Sequence, residues 1–309
     1  KADLETLIVY EFPELQGEMG RWNALREGME APVADAIRDH YRPQGADDTV
    51  PDQLVSAVVA VSDRIDTLVG CFGIGLVPSG SADPFALRRA ALGIIRIALE
   101  GPLDIDVGAL IDKAYDAYEG DAELRPREEV RAALDEFFRG RIRAMLKDTH
   151  GGDVVDACLG AWDGASIRDL RTRIEAVEEL QSAPEFEALA VAFKRAFNIT
   201  KESERGSVEK SLLEPGAETD LAERFSTVRN QITEATGERR YADALKLVAK
   251  ELGAPIDRFF DEVFVMVDDA NVRDNRLRLL GEIADTVNGI AHFHHLGTKL
   301  QGRDPSLSA

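Results

Sequence analysis

The sequence predicts an all-α protein made of two helical domains. Apolar residues recur every three or four positions through most of the chain, which is the pattern of helices with one buried face. No segment alternates between apolar and polar residues for long enough to indicate a half-buried strand. Because 309 residues exceed the length that a single hydrophobic core usually serves, we expect two domains.

Two helices are predicted early in the chain. The first buries an apolar stripe made of Leu54, Val58, Val61, Ile65 and Leu68. Asp52, which follows Pro51, is placed to cap the start of this helix. Glycines between residues 70 and 80 then permit tight turns. Asp83 is placed to cap a second helix, with Pro84 at the first helical position.

The helical pattern weakens between residues 101 and 127. Two polar segments, GPLDID and EGDAELRP, surround one short helical stretch there. Such a break is typical of a connection between domains. We therefore predict a first domain with its linker at residues 1–125 and a second domain at residues 126–309.

Four apolar stripes predict helices in the second domain. They are Phe186, Leu189, Phe193 and Phe197; Leu221, Phe225, Val228 and Ile232; Tyr241, Leu245, Val248 and Leu252; and Leu280, Ile283, Val287 and Ile290. Residues 182–185, SAPE, have capping-box spacing before the first stripe. The third helix is expected to end at Gly253, with Pro255 beyond it, and the fourth to span about residues 271–293. The polar residues 201–218 predict a long loop.

The chain carries a formal net charge of −20. Nucleic-acid binding would then need a local basic patch, because cations must neutralise the phosphates. No apolar run approaches the roughly 20 residues that cross a bilayer. Cys71 and Cys158 lie far apart in apolar segments, as reduced thiols do. We expect a soluble, cytoplasmic protein with no membrane partner, and a start without Met or leader suggests a fragment of a longer chain.

Three long strings carry a family resemblance. They are EFPELQGEMGR at residues 11–21, DTLVGCFGIGLVPSG at 66–80 and DPFALRRAALGIIRI at 83–97. Together they resemble the β subunit of the bacterial-type heterotetrameric glycyl-tRNA synthetase, in its C-terminal part. The resemblance implies a ligase subunit with two partners, tRNA-Gly and the α subunit of an α2β2 holoenzyme. It also implies that ATP and Mg act at the α subunit, where glycyl-tRNA forms, and that this chain alone is neither catalytic nor cofactor-binding.

Shorter segments of the first domain resemble helical phosphohydrolases with a His-Asp (HD) metal motif. KADL at residues 1–4, DHY at 39–41 and SDRIDTL at 62–68 would place Asp3, His40 and Asp63 at the metal. Lys1 stands where the motif has a histidine, and an ammonium group cannot ligate a metal. The resemblance implies a degenerate HD-type domain without a metal. A working metal-dependent phosphohydrolase and a non-catalytic protein-interaction scaffold remain the alternatives.

The second domain is similar to the helical, DALR-like anticodon-binding domain of glycyl β subunits and arginyl-tRNA synthetases. The similar strings are DEFFRGRIRAML at residues 135–146, PEFEALAVAFKRAFNI at 184–199 and FFDEVFVMVDDANVRDNRLRLLGEI at 259–283. The implied role is recognition of tRNA-Gly and positioning of its acceptor end. The candidate tRNA-binding residues are Arg139, Arg141, Arg143, Lys147, Lys194, Arg195, Asn198, Arg88 and Arg89.

These candidates form a surface only if the segments around residues 139–147 and 194–198 pack side by side. Each cation could equally make an ordinary ion pair on a solvated helix face. Arg88 and Arg89 could contact RNA phosphate or pair with nearby acids. Phe138 and Trp162 are candidate platforms for unpaired bases, although core positions are more common for such residues.

The string HFHH at residues 292–295 suggests a metal ligand set. His292 and His295, three positions apart on a helix, could share an ion. No cysteine or carboxylate cluster lies close enough in sequence to complete the ligand shell. We therefore interpret the histidines as residues that interact with the dipole of a helix C-terminus.

Overall fold

The computed structural model describes residues 1–118 and 123–297 and confirms the all-α fold. Within these residues the only β pairings are two isolated bridges. The helices are α1 Leu7–Glu11, α2 Glu18–Arg26, α3 Ala31–Asp39, α4 Leu54–Gly73, α5 Leu87–Glu100, α6 Val107–Asp116, α7 Arg127–Lys147, α8 Gly152–Ala161, α9 Ile167–Gln181, α10 Phe186–Thr200, α11 Ala217–Gly237, α12 Tyr241–Glu262 and α13 Ala270–Asn288. None of these helices is long and apolar enough to cross a membrane.

The chain forms two compact units that divide later than predicted. The first unit comprises Lys1–Met145 with Gly164–Arg168, and the second comprises Leu146–Asp163 with Asp169–Ala309. The predicted boundary lay between residues 125 and 126. Helix α7 explains the difference, because most of it packs within the first unit: its Phe137 ring lies 5.1 Å from that of Phe72.

The first unit is organised around α4. This helix contacts α3, α5 and α6, and its fully buried face includes Leu68, Val69 and Phe72. Helix α6 is the one short helix predicted in the weak segment between residues 101 and 127. The predicted stripe on α4 is therefore confirmed for Val61, Ile65 and Leu68, whereas Leu54 and Val58 are 59% and 45% exposed.

The predicted helix starts are partly wrong. Asp52 caps nothing: the N-cap residue of α4 is Gln53, and its side chain makes no capping hydrogen bond. Asp83 does cap α5, since its carboxylate accepts from the backbone N–H groups of Leu87 (2.8 Å) and Arg88 (2.9 Å). Pro84 is not the first helical residue, because the chain makes one further turn and α5 begins at Leu87.

The second unit contains the four predicted helices, with different ends. Helices α10 and α11 each pack against α12 and α13, and the segment between α10 and α11 is a loop with one short 3-10 turn, as predicted. Residues 182–185 form no capping box, because the N-cap residue is Glu185 and its side chain makes no capping hydrogen bond. Helix α13 ends at Asn288 rather than near residue 293.

Helix α12 continues through both predicted stop signals. It passes Gly253 and Pro255 and ends at Glu262. A proline inside a helix costs about 3 kcal/mol. The helix continues because Ile256 and Phe259 extend its apolar stripe and are almost completely buried. Burial of these two side chains outweighs the local signal.

Candidate functional site

Three of the cations predicted on α7 are held by internal partners. The Nε of Arg139 donates to the Asp135 carboxylate at 2.8 Å, one helical turn away. The Arg141 guanidinium lies 3.7 Å from the centroid of the Phe137 ring, and burial followed by the charge of Arg88 lowers its pKa. Lys147 pairs with Asp156 at 2.9 Å. Their capacity to bind an external anion is correspondingly reduced.

The predicted residues on α10 have a different environment. Lys194 is half-buried, whereas Arg195 and Asn198 are exposed. The Arg195 guanidinium lies 4.3 Å from the centroid of the Phe260 ring. Across residues 1–118 and 123–297, no carboxylate pairs with Lys194 or Arg195. Helix α10 therefore presents cations that can meet phosphate without first breaking an ion pair.

The α7 and α10 segments belong largely to different compact units. Arg139, Arg141 and Arg143 lie in the first unit, and α10 lies in the second. Arg143 is exposed and has interactions of its own. Packing of the two segments into one basic surface therefore stays a prediction.

A basic cleft of about 390 Å³ lies within the first unit. It is lined by Arg88, Arg89 and Arg96 of α5, and Asp83 is the acidic residue of its lining. Arg88 donates to the Gly80 carbonyl at 2.6 Å, and Arg96 pairs with Glu100 at 2.8 Å. In the described parts of the chain, Arg89 makes neither a hydrogen bond nor an ion pair.

Sequence reasoning selected Arg88 and Arg89 as tRNA-binding candidates and missed Arg96. Arg96 follows Arg89 by seven residues, which is about two helical turns, so both lie on one face of α5. That spacing was visible in the sequence. The cleft can hold an anion against three guanidinium groups, of which Arg89 is the most available.

The two predicted base platforms are core residues. Phe138 is 1% exposed and Trp162 is 3% exposed, so neither can stack on an RNA base. Their apolar neighbours in the sequence favour burial of each ring, because a large ring removes much apolar area from water. Phe264, which sequence reasoning missed, is 74% exposed. Arg276 holds its backbone by donating to the Phe264 carbonyl at 3.0 Å. No local signal separates Phe264 from the buried phenylalanines before it.

The HD-type position Asp3 is engaged within the first unit. Its carboxylate accepts from the Gly17 N–H at 2.6 Å and from the Tyr41 hydroxyl at 3.0 Å. The buried His40 directs Nδ1 at the carbonyl of Ile37, 2.8 Å away, and burial lowers its pKa. Asp63 pairs with the Lys1 ammonium at 2.6 Å. Both carboxylates therefore have donors within the chain, and Nδ1 of His40 is directed at a backbone carbonyl.

A buried arginine completes this polar cluster. Arg64 is 8% exposed and donates to the carbonyls of His40 (2.8 Å), Tyr41 (3.0 Å) and Pro43 (3.2 Å). It also donates to Ala60 in the preceding turn. The guanidinium thus satisfies a loop whose carbonyls would otherwise be buried without donors.

The C-terminal histidines are not part of a long helix, contrary to prediction. They lie on a 3-10 turn, Phe293–His295, beyond the end of α13. The ligand nitrogens of His292, His294 and His295 lie within 4.8 Å of one another, which occurs for no other group of three potential ligands in residues 1–118 and 123–297. Burial and the other two histidines lower the pKa of His294 to about 4.

Two family models match the chain. The family model described as "Glycyl-tRNA synthetase beta subunit" matches residues 1–160, and "DALR anticodon binding domain" matches residues 189–293. The chain is 45% identical over 294 residues to the glycine–tRNA ligase beta subunit of Geobacter metallireducens, covering 95% of this chain and 42% of that relative. The corresponding protein of Moorella thermoacetica is 43% identical over 302 residues, covering 96% and 43%.

The second match places residues 189–293 in the class of helical anticodon-binding domains. The first match covers more than half of the chain and, with the relatives, makes the assignment specific. This chain belongs to the glycyl-tRNA synthetase beta subunit family. It spans about two fifths of the length of the curated relatives that it matches.

Proposed function

We propose that this chain is the tRNA-binding portion of a glycyl-tRNA synthetase β subunit. It would bind tRNA-Gly and position the acceptor end for glycylation from glycine and ATP. The observation that carries this proposal is the cationic face of α10, inside the anticodon-binding match, where Lys194 and Arg195 have no carboxylate partner among the described residues. Positioning of this kind accelerates the reaction by proximity.

Recognition of an unpaired loop needs a stacking surface as well as cations. The exposed Phe264 ring, with its backbone held by Arg276, supplies one. Base stacking on an aromatic ring is worth about 1–3 kcal/mol per base. Phe264 together with α10 therefore offers both elements of single-strand binding within one unit.

In the first unit, the cleft around Arg89 would contact a phosphate of the same tRNA. The partner chain would be the α subunit of an α2β2 holoenzyme, with ATP and Mg bound in that subunit's active site and the whole assembly in the cytoplasm. Exposed apolar side chains in the first unit support contact with another protein: Leu7 on α1 is 83% exposed and Leu54 on α4 is 59% exposed.

The test is a titration of the chain with tRNA-Gly, its anticodon stem-loop and a non-cognate tRNA over a range of salt concentrations. Lys194→Ala with Arg195→Ala should weaken binding of both cognate RNAs and reduce the salt slope by about 1 for each lost phosphate contact. Phe264→Ala should weaken binding of the stem-loop with little change in the slope.

Lys246→Ala is the matched control, because Lys246 lies on α12 of the same unit but pairs with Glu179 at 2.7 Å. It should bind like the parent chain. Equal loss in the control and the α10 variant would indicate non-specific attraction. Unchanged affinity of the α10 and Phe264 variants would reject the proposed surface.

A further inference from the structure

We propose that His292, His294 and His295 form a binding site for one divalent transition metal of the zinc class. The starting observation is their geometry, with one ligand nitrogen from each residue within 4.8 Å of the others. Zinc bound to imidazole at about 2.0–2.1 Å needs ligand nitrogens roughly 3.4 Å apart. His295 is exposed, so rotation of its side chain can close this difference without disturbing the core.

The backbone that carries the histidines is fixed at several points. The His292 N–H donates to the Ala157 carbonyl of α8 at 2.9 Å, and the His295 N–H donates to the His292 carbonyl at 2.9 Å. Between them, Phe293 is buried, with its ring 5.6 Å from that of Phe193 on α10. A turn anchored to two helices presents its ligands with little loss of conformational entropy on binding.

The rings themselves are also positioned. His294 stacks on Phe197 with centroids 3.8 Å apart and planes 5° from parallel. His292 occupies the space above Gly160, where a Cβ atom would collide with Nδ1 of the imidazole. The site therefore depends on a glycine and an aromatic ring on neighbouring helices.

One nitrogen of the cluster lacks a partner. Nδ1 of His294 is buried and has no hydrogen-bond partner among the described residues, although an orphaned polar atom is costly. Nδ1 is one of the two ring nitrogens through which an imidazole can bind a metal. Imidazole ligates a metal in its neutral form, and borderline divalent ions such as Zn²⁺ favour this ligand.

One basic side chain lies near the site. Lys194 lies close enough to contribute to the lowered pKa of His294, and its ammonium opposes a cation. Asp153 holds the segment that follows the cluster, because its carboxylate accepts the N–H of Gly297, two residues beyond His295, at 2.9 Å. Three imidazoles and a water molecule would complete a four-coordinate site.

The test uses the full chain without a polyhistidine tag, stripped with a chelator and titrated with Co²⁺ and then Zn²⁺. We expect one ion per chain, the visible absorption of four-coordinate Co²⁺, and displacement of Co²⁺ by Zn²⁺ but not by excess Mg²⁺. His295→Gln and His292→Gln should each weaken binding about tenfold or more, which is at least 1.4 kcal/mol. Gly160→Ala should weaken it by crowding His292.

His150→Gln is the matched control, because His150 pairs with Glu178 at 3.0 Å outside the cluster. It should bind the ion like the parent chain. His295 is exposed, so its variant keeps the fold and decides the outcome even if another variant unfolds. Unchanged affinity in His295→Gln and His292→Gln, or displacement of the ion by Mg²⁺, would overturn the proposal and indicate binding to surface carboxylates.

Discussion

Two polar clusters, one in each unit, contain the residue types that bind metals, and they differ in how their atoms are used. In the first unit, Asp3 accepts from a backbone N–H and a tyrosine hydroxyl. Asp63 pairs with a lysine. In the second unit, the histidines around His294 face one another, and a buried nitrogen has no partner among the described residues.

The difference shows that residue type alone does not define a site. In the first cluster, internal donors satisfy the two carboxylates. The second presents three imidazoles on a turn that is anchored to α8 and α10. Substitutions in the first cluster should therefore affect stability, whereas those in the second should affect ion binding and the response to pH.

The largest expected effect is that of Arg64→Met. The substitution removes the donors of the carbonyls of His40, Tyr41 and Pro43 and leaves buried acceptors unpaired. Each unpaired buried group costs about 1–3 kcal/mol, so we expect a loss of at least about 3 kcal/mol in the free energy of unfolding. Urea unfolding followed by circular dichroism measures it.

Arg21→Met is the control for that experiment. Arg21 is partly exposed and binds a single carboxylate, that of Asp35, at 2.5 Å. Its loss should cost about 1 kcal/mol or less. Equal effects of the two substitutions would show that the network around Arg64 contributes no more than a surface pair.

Gly93→Ala should destabilise the same network from the opposite side. A Cβ at this position would lie 2.5 Å from Nε of Arg64, whose guanidinium is held by its hydrogen bonds to backbone carbonyls. Overpacking of this kind costs about 1–3 kcal/mol. At Gly140, also inside a helix, a Cβ meets nothing within 4 Å, so Gly140→Ala should stabilise by about 0.5–1 kcal/mol. The midpoint temperature of thermal unfolding should fall for Gly93→Ala and rise for Gly140→Ala.

The second cluster should make stability depend on pH. Because the pKa of His294 is lowered from 6.5 to about 4 in the folded chain, the unfolded chain takes up a proton first as the pH falls. The contribution of neutral His294 to the free energy of unfolding is fully present above pH 6.5 and is lost as the pH falls towards 4. Allowing for partial exposure, we expect a loss of about 1–2 kcal/mol.

His294→Phe isolates this contribution, because phenylalanine keeps the stack on Phe197 and cannot titrate. The buried His40 has a lowered pKa as well, but it is common to both proteins and cancels. The parent chain should lose more stability than the variant between pH 6.5 and 4.5 in urea unfolding. Parallel curves for the two proteins would show that His294 titrates normally.

The sequence predicts the features of this structure that depend on residues close together in the chain. It does not predict those that depend on packing between residues far apart in the chain. The apolar stripes on α11 and α13 were predicted because a buried helix face has apolar residues every three or four positions, and this spacing is visible in the sequence. The continuation of α12 through Pro255 was not, because it depends on the space that Phe259 fills in the folded core.

The candidate site divides in the same way. Arg89 could be selected from its position in a resemblance, and Lys194 from its helix face. The partners of Arg139 and Lys147, and the exposure of Phe264, depend on tertiary packing that no local pattern records. The convergence of three histidines likewise needed the early end of α13.

The smallest expected effect concerns Asp52 and Asp83, which the sequence predicts equally as helix caps. Both precede a helix, yet only Asp83 accepts N–H groups, from Leu87 and Arg88. Asp83→Ala should therefore cost about 1 kcal/mol, the usual value of an N-terminal cap, and Asp52→Ala should cost almost nothing. Urea unfolding of the two variants measures the difference. Equal costs would mean that the sequence pattern, and not the observed hydrogen bonds, identifies the cap.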